Sequence, residues 1–223
     1  NTTGAQNTSV GMNSLYATTT GANNTGLGQG ALQGNTTGAS NVAVGKAALS
    51  VATTAPNNTG IGYNAGGSIT IGFNNTFVGS TTGDALTTGD YNVAVGLSAL
   101  GAETTGNKST AMGTGALASQ NNTGDPDVFN TAIGFEAGAA VTTGANNTLI
   151  GATAGDSTVT TGGGNIIVGY GSELGGAGQE NSIVLATNSV GKGSSTAFIN
   201  ANGGNTLFKV ITLLIGQPFQ MRD

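Results

Sequence analysis

The chain has 223 residues, of which 41 are glycine, 7% are charged and 5% are aromatic, and this is not the composition of a globular domain with a large core. Five Lys and Arg against ten acidic residues exclude a basic surface for nucleic acid, and the absence of Cys and His removes disulfides, thiolate ligands and the usual acid–base residue. We therefore expect no catalytic residues, no metal, no cofactor and no nucleic-acid partner.

The chain also has no apolar run near the roughly 20 residues that span a bilayer. Near the C-terminus the longest run of large apolar residues is Leu213, Leu214 and Ile215, so we expect no membrane insertion. Asn1 already lies within a repeat, which indicates a fragment or a processed product.

A pentad, Asn-x-x-aliphatic-Gly, recurs with a period of 17 residues over most of the chain. Its second and fourth residues share one face if the segment is a strand, and the frequent Thr and Val suit a strand sterically. Asparagines at the same place in successive coils are expected to hydrogen-bond along the stack. The eleven pentads begin at Asn7, Asn24, Asn41, Asn58, Asn75, Asn92, Ser109, Asn130, Asn147, Asn165 and, in degraded form, Asn181.

The fourth residue of each pentad is aliphatic or Met, and we expect it to face the interior together with the second residue. One dependable aliphatic residue per coil is a thin core, and strand edges at the ends of a stack invite pairing. These features predict an intertwined or side-by-side homotrimer. The predicted core residues are Val10, Leu27, Val44, Ile61, Val78, Val95, Met112, Ile133, Ile150, Val168 and Val184.

The rest of each coil follows a common order. The pentad glycine predicts a corner, small residues such as Ala31 and Ala48 followed by Leu predict a second short strand, and Thr-Thr-Gly-Ala-Asn, as in residues 142–146, predicts a polar turn. Stacking of about eleven such coils at roughly 4.8 Å gives an all-β parallel β-solenoid on the order of 50 Å long.

Three segments carry a resemblance to a known family: Asn-Asn-Thr-Leu-Ile-Gly at residues 146–151, Ser-Asn-Val-Ala-Val-Gly at 40–45 and Asn-Thr-Ala-Ile-Gly at 130–134. They resemble the head repeats of YadA-like trimeric autotransporter adhesins and, more closely, the Asn-Thr-Ala-Val-Gly repeats of bacteriophage tail fibres. The resemblance covers about residues 1–190 and implies a left-handed, trimeric β-roll that contacts a host or surface. The longer period, and the lack of a following coiled-coil stalk or membrane barrel, favour the phage fibre.

Two regions are expected: a β-roll rod over residues 1–192, and a C-terminal β-hairpin cap or the start of a following domain over 193–223. In the second region a strand is predicted at 195–201, a turn at 202–204 and a more apolar strand at 205–215. Pro218 then ends the second strand.

The repeat is interrupted between Ser109 and Asn130, where the spacing is 21 residues. The four extra residues are expected to form an exposed loop with two acids and a proline, a candidate contact for a receptor. A tolerated loop without a partner is the alternative, and two carboxylates are too few for a Ca²⁺ site. The candidate contact residues are Asn121, Asn122, Thr123, Asp125 and Asp127.

Aromatic residues near the corners are expected either to stack on a sugar or to cover turns and the seams between chains. They are Tyr16, Tyr63, Phe73, Tyr91, Phe129, Phe135 and Tyr170.

Three functions remain open. The first is a trimeric phage tail fibre or spike that positions host-receptor binding, and the second is a prokaryotic surface adhesin or extracellular filament subunit. The third, an ice-binding solenoid, is disfavoured because the strand threonines are expected to share the buried face. The expected partners are further copies of the chain, a host glycan or protein receptor and other tail or surface components, on a virion or a cell surface. An enzyme is not expected, because Glu103, Glu136 and Glu173 are far apart in the sequence.

Overall fold

The computed structural model describes residues 2–199 as one sheet of twelve strands, in which strands adjacent in sequence are adjacent in space. Every pair is parallel, and repeat-equivalent residues lie opposite each other, as Val42 does with Thr25 and Thr59. The predicted all-β parallel solenoid is therefore confirmed. The strands are β1 (Thr8–Val10), β2 (Thr25–Leu27), β3 (Val42–Val44), β4 (Thr59–Ile61), β5 (Thr76–Val78), β6 (Val93–Val95), β7 (Thr110–Met112), β8 (Thr131–Ile133), β9 (Thr148–Ile150), β10 (Ile166–Val168), β11 (Ile183–Leu185) and β12 (Ala197–Ile199).

The face of the strands that lies inside the coil is the opposite of the predicted one. The middle residue of each strand from β2 to β12 is buried, as Ala43 and Leu149 are, and the alternation of a strand then turns both its neighbours outward. Val10 is 56% exposed and Ile133 is 39% exposed. The two-residue alternation of a strand determines which residues share a face, but not which of the two faces lies inside the coil. The prediction is wrong for Val10, Leu27, Val44, Ile61, Val78, Val95, Met112, Ile133, Ile150 and Val168, which all lie on the outer face.

Val184 is the exception, because the last pentad begins one residue later than predicted. Ser182, not Asn181, occupies the asparagine position, since its backbone N–H donates to Asn165 Oδ1 at 3.0 Å. Val184 thereby becomes a middle residue, pairs with Ile167 and is fully buried. Leu185 takes the outward place beside Val168.

The predicted second strand of each coil is absent from residues 2–199. Leu32, Leu49 and Leu100 have φ between 48° and 53°, in the left-handed region, so this side of the coil consists of turns. Their side chains nevertheless point inward and are fully buried against the middle strand residues. The interior is therefore formed by one narrow sheet on one side and turns on the other.

Side-chain volumes compensate across this interior. The middle residue is small in most coils that carry the buried leucine, as Ala43 and Ala94 are, whereas β5 carries Phe77 where glycine replaces that leucine. A Cβ added at Gly83 would lie 2.4 Å from the Phe77 ring. The core is thus full within a single chain, and no second copy is needed to fill it.

The predicted corner glycines allow a close approach between coils. At Gly62, where φ is 135°, an added Cβ would lie 2.2 Å from the carbonyl oxygen of Gly79 in the next coil. Any side chain here would separate the stacked backbones.

The predicted asparagine ladder is present and buried. Asn41 Oδ1 accepts a hydrogen bond from the backbone N–H of Asn58 at 2.8 Å, while Asn41 Nδ2 donates to the carbonyl oxygen of Ala55 at 2.7 Å. Each such asparagine therefore joins the start of the next strand to the turn that precedes it. The ladder explains the asparagines without a ligand.

Replacing one ladder residue is expected to destabilise the stack. In an Asn92→Ala variant, the N–H of Ser109 and the carbonyl oxygen of Gly106 lose their bonds to the side chain, both of 2.9 Å. Two unpaired buried groups should lower the free energy of unfolding by about 2 to 4 kcal/mol. Denaturant unfolding measures this loss against Gln33→Ala, an exposed control. Equal stability of the two variants would show that the ladder is not a major support.

At the C-terminal end of the described residues, the solenoid continues past the predicted boundary at residue 192. The strand predicted at 195–201 is present as β12, which pairs in parallel with β11 as a further coil. The predicted turn at 202–204 and the strand at 205–215 lie outside the described residues. No helix long and apolar enough to cross a membrane occurs among residues 2–199.

Candidate functional site

The first candidate surface is the outer stripe, which we define as the second and fourth residues of each pentad together with the residue after the pentad glycine. Most of the exposed large apolar side chains of residues 2–199 lie in it. At about 4.8 Å per coil the stripe is on the order of 50 Å long. A contiguous, largely apolar surface is typical of an interaction site. Besides the aliphatic residues of the strands, it contains the large side chains of Met12, Tyr63, Leu97, Phe135 and Tyr170.

Threonines form a second line along the same stripe. They share a face with the aliphatic residues, as expected, but that face is outside the coil. The expectation that disfavoured ice binding, namely that the strand threonines are buried, is therefore wrong. The outward threonines are Thr8, Thr25, Thr59, Thr76, Thr110, Thr131 and Thr148.

The loop of the 21-residue coil is the second candidate surface. Asn121, Thr123, Asp125 and Asp127 are exposed, as predicted, whereas Asn122 is 6% exposed and its side chain points inward. Lys108 Nζ donates to Asp127 Oδ2 at 2.6 Å. The loop is therefore fastened to the preceding coil, and contact with a receptor stays a prediction for its four exposed residues.

A fully buried carboxyl group, that of Glu103, holds the base of this loop. Glu103 Oε1 accepts hydrogen bonds from the backbone N–H groups of Thr104, Gly106 and Asn122, at 2.9, 2.8 and 3.1 Å. Glu103 Oε2 accepts from Gln120 Nε2 at 2.9 Å and from Asn122 Nδ2 at 3.1 Å. Glu103 occupies the interior position that Leu86 has one coil earlier. Its carboxyl oxygens accept hydrogen bonds from buried N–H groups of the irregular loop, which would otherwise have no acceptor.

Gln120 bridges the ladder at Ser109, where serine replaces the asparagine. Its Nε2 donates to Ser109 Oγ at 3.0 Å, and its Oε1 accepts from Asn130 Nδ2 at 2.9 Å. Residues 103, 109, 120 and 122 all differ from the residue types of the regular repeat. In the structure, the side chains of these four residues belong to one hydrogen-bond network.

A second, one-residue insertion separates Asn147 from Asn165, a spacing of 18 residues that sequence reasoning missed. The extra residue lies between Gly155 and Thr160, since Thr142 Oγ1 donates to the carbonyl oxygen of Thr160, which is already 18 residues further on. After it, the glycine run at residues 162–164 borders an open cleft of about 520 Å³. The cleft is lined by Thr143, Asn146, Thr161, Gly164, Glu180 and Asn181, among others. The cleft lies along the same edge of the roll as Phe129, because Phe129 and Asn146 each directly precede a ladder residue.

Some predicted aromatic residues also gather at this edge. The rings of Phe73 and Tyr91 meet edge to face with centroids 5.3 Å apart, and Lys108 Nζ lies 5.2 Å from the centre of the Phe129 ring. Tyr91 and Phe129 keep about half of their surface exposed. Tyr63, Phe135 and Tyr170 instead belong to the outer stripe.

One pair of acids on neighbouring coils, Asp156 and Glu173, was missed by sequence reasoning. A hydrogen bond to Glu173, partial burial, and the charges of Glu173 and Glu136 raise the pKa of Asp156 to about 7. Burial opposes ionisation of Glu173, but hydrogen bonds from Asp156, Thr158 and Ser157 outweigh it and lower the pKa of Glu173. The two carboxyl groups are in contact, which is closer than the roughly 5 to 9.5 Å that separates the acids of glycoside hydrolases.

This pair predicts that stability falls as the pH rises. The folded chain holds the Asp156 proton above its usual pKa of 3.8, so between about pH 4 and pH 7 it binds more protons than the unfolded chain. Glu173 acts in the opposite sense only below its usual 4.5. The wild-type protein should resist denaturant better at about pH 5 than at about pH 8, and Asp156→Asn should flatten this difference. An unchanged difference in the variant would show that another group is responsible.

By its fold, the chain belongs to the class of parallel β-solenoid repeat proteins. No protein-family model, no curated protein and no solved structure matches it. Within residues 2–199, no group of three or more acidic side chains is arranged to hold a metal ion.

Proposed function

We propose that this chain is a segment of a homotrimeric adhesive fibre, most simply a bacteriophage tail fibre or spike that positions host-receptor binding, and that its role is not enzymatic. The observation that carries the proposal is the outer stripe, which continues along the described coils. A monomer would leave this stripe in water over its full length, whereas three copies packed around an axis would bury it.

In this proposal, copies associate for a different reason from the one expected from the sequence. The coil interior is already filled by the middle strand residues and the inward leucines, so a thin core is not the cause. The exposed aliphatic residues outside the coil are the cause. Copies related by a three-fold axis necessarily run parallel, and in register they bring the same residues of each coil together. The number three rests on the resemblance of the pentads to trimeric adhesin heads and fibres.

Disulfide trapping tests this packing, since the chain has no cysteine of its own. Val95→Cys places a thiol in the middle of the outer stripe, where copies around a three-fold axis approach each other. Oxidation should give covalent dimers on a denaturing gel. Thr37→Cys, on an exposed turn outside the stripe, is the matched control and should stay monomeric. Equal cross-linking of the two variants would contradict the proposed interface.

A prokaryotic surface adhesin or filament subunit is the alternative within the same architecture. Such a protein would also associate through the outer stripe, because burial of exposed apolar side chains stabilises an assembly in a phage and in a cell alike. The neighbouring genes discriminate: tail components support the phage fibre, and secretion machinery supports the cellular adhesin.

Ice binding is a second candidate, favoured specifically by the outward line of threonines. It needs the stripe free and flat in a monomer, whereas the fibre needs it covered. Thermal hysteresis of the purified chain, abolished by Thr131→Leu, would support ice binding. A trimeric protein without thermal hysteresis would rule out ice binding.

A further inference from the structure

One edge of the roll carries a line of residues that we call the corner column: the residue that directly precedes each ladder position. All its members have φ between 46° and 72°, so each projects from the same kind of left-handed corner. Within residues 2–199, Gly164 is the one member without a side chain. The members are Gln6, Asn23, Ser40, Asn57, Asn74, Tyr91, Lys108, Phe129, Asn146, Gly164, Asn181 and Ser195.

The missing side chain at Gly164 leaves a notch between Asn146 and Asn181, and this notch is part of the cleft of about 520 Å³. Thr143 and Thr161 contribute hydroxyl groups to it, and Glu180 contributes a carboxylate. The side chains of these five polar residues make no hydrogen bond to any other described residue. The notch therefore offers hydroxyl and carboxamide groups that both donate and accept, as the hydroxyls of a sugar require.

The aromatic part of the column lies directly beside the notch. Phe129 precedes Asn146 in the column, one coil away, and Tyr91 lies two coils further on. Both rings are about half exposed, and their faces attract the C–H groups of a sugar ring. Two independent features, an aromatic platform and a polar cleft, thus continue one another along the rod.

We propose that the corner column from Tyr91 to Asn181 binds a neutral oligosaccharide that lies along the rod axis. This inference rests on the proposed adhesive function and names its ligand class. Five coil steps at about 4.8 Å give a track on the order of 24 Å, long enough for several sugar units. Three copies of the track in a trimer would add avidity to weak single contacts.

Charge sets the specificity for neutral sugars. Asp90, Asp125 and Asp127 flank the platform and Glu180 lines the cleft, while the one nearby cation, Lys108, is already paired with Asp127. Among the described residues at this edge no free cation remains to pair with a uronic or sialic acid. An anionic glycan would meet like charges and be repelled.

Two substitutions restore the regular column and so remove the site without removing the fold. Gly164→Asn fills the notch with the residue found at Asn146 and Asn181. An added Cβ there lies 2.5 Å from Asn181 Oδ1, the end of an exposed side chain that can turn away. Phe129→Asn removes the platform and suits the left-handed corner. Tyr16→Ala is the matched control, an exposed tyrosine outside the column.

The test measures binding of neutral pentasaccharides of glucose, mannose, galactose and N-acetylglucosamine by saturation-transfer NMR, with a galacturonic acid pentamer as the anionic probe. At least one neutral probe should bind, its Kd should rise about 10-fold or more in Gly164→Asn and in Phe129→Asn, and Tyr16→Ala should bind as wild type. Binding of no neutral probe, wild-type affinity in either column variant, or equal binding of the anionic probe would overturn the inference.

Light scattering on the same samples separates this inference from the fibre proposal. If the protein is a trimer but binds no sugar, only the sugar-binding inference is overturned. If the protein is a monomer, the proposal of a trimeric fibre is overturned, whether or not sugar binds.

Discussion

Ile133→Asp is expected to convert the proposed trimer into monomers that keep the β-solenoid fold. Ile133 lies at the centre of the outer stripe and is 39% exposed in the single chain, so its side chain contributes nothing to the coil interior. In a three-fold assembly, however, the substitution places three carboxylates near the axis without a partner. Desolvation costs several kcal/mol for each buried ion, and the like charges also repel.

Light scattering measures the mass of the variant, and circular dichroism shows whether the strands are retained. Thr37→Asp introduces the same charge on an exposed turn and should remain trimeric. An Ile133→Asp protein that stays trimeric would show that copies associate through another surface.

Glu103→Leu is expected to cause a large loss of stability. Leucine fits the apolar column in which Leu86 precedes it, so packing alone predicts a gain. The backbone N–H groups of Thr104, Gly106 and Asn122 would nevertheless lose their acceptor inside the coil. We expect the free energy of unfolding to fall by about 3 to 5 kcal/mol.

Glu103→Gln should fall between the wild type and Glu103→Leu. It keeps one acceptor oxygen, but it places an NH₂ group against the donors of Gln120 and Asn122. Denaturant unfolding ranks the three proteins, and Glu180→Gln serves as an exposed control. A Glu103→Leu protein as stable as the wild type would mean that water satisfies the loop and that the network is dispensable.

The coils, their register and the asparagine ladder could be predicted from the sequence, because stacked hydrogen bonds require the same residue at the same place in every coil. Which strand face lies inside could not be predicted from periodicity. A clue was present in the middle residues: Gly60 and Ala94 are small enough for a narrow interior, and Phe77 appears where glycine replaces the inward leucine. Pairing these volumes along the chain would have identified the true interior.

The candidate sites were only partly predictable. The loop at residues 121–127 is visible as a break in the period, but the burial of Asn122 depends on Glu103, which is 19 residues away. The contact between Asp156 and Glu173 could not be predicted from the 17-residue period, because their two coils are offset by 18 residues and the two acids are not repeat-equivalent. The notch at Gly164 arises because glycine stands where the neighbouring coils carry Asn146 and Asn181, and this substitution becomes visible only when Ser182 is placed on the ladder.

The mass of the wild-type chain in solution shows whether copies associate, since the outer stripe is proposed to be the face through which they do so. The chain has a mass of 21.5 kDa. Light scattering should give three times this value, unchanged over a wide range of protein concentration. A mass of 21.5 kDa would rule out the trimer and leave the stripe, with its outward threonines, as the free surface of a monomer.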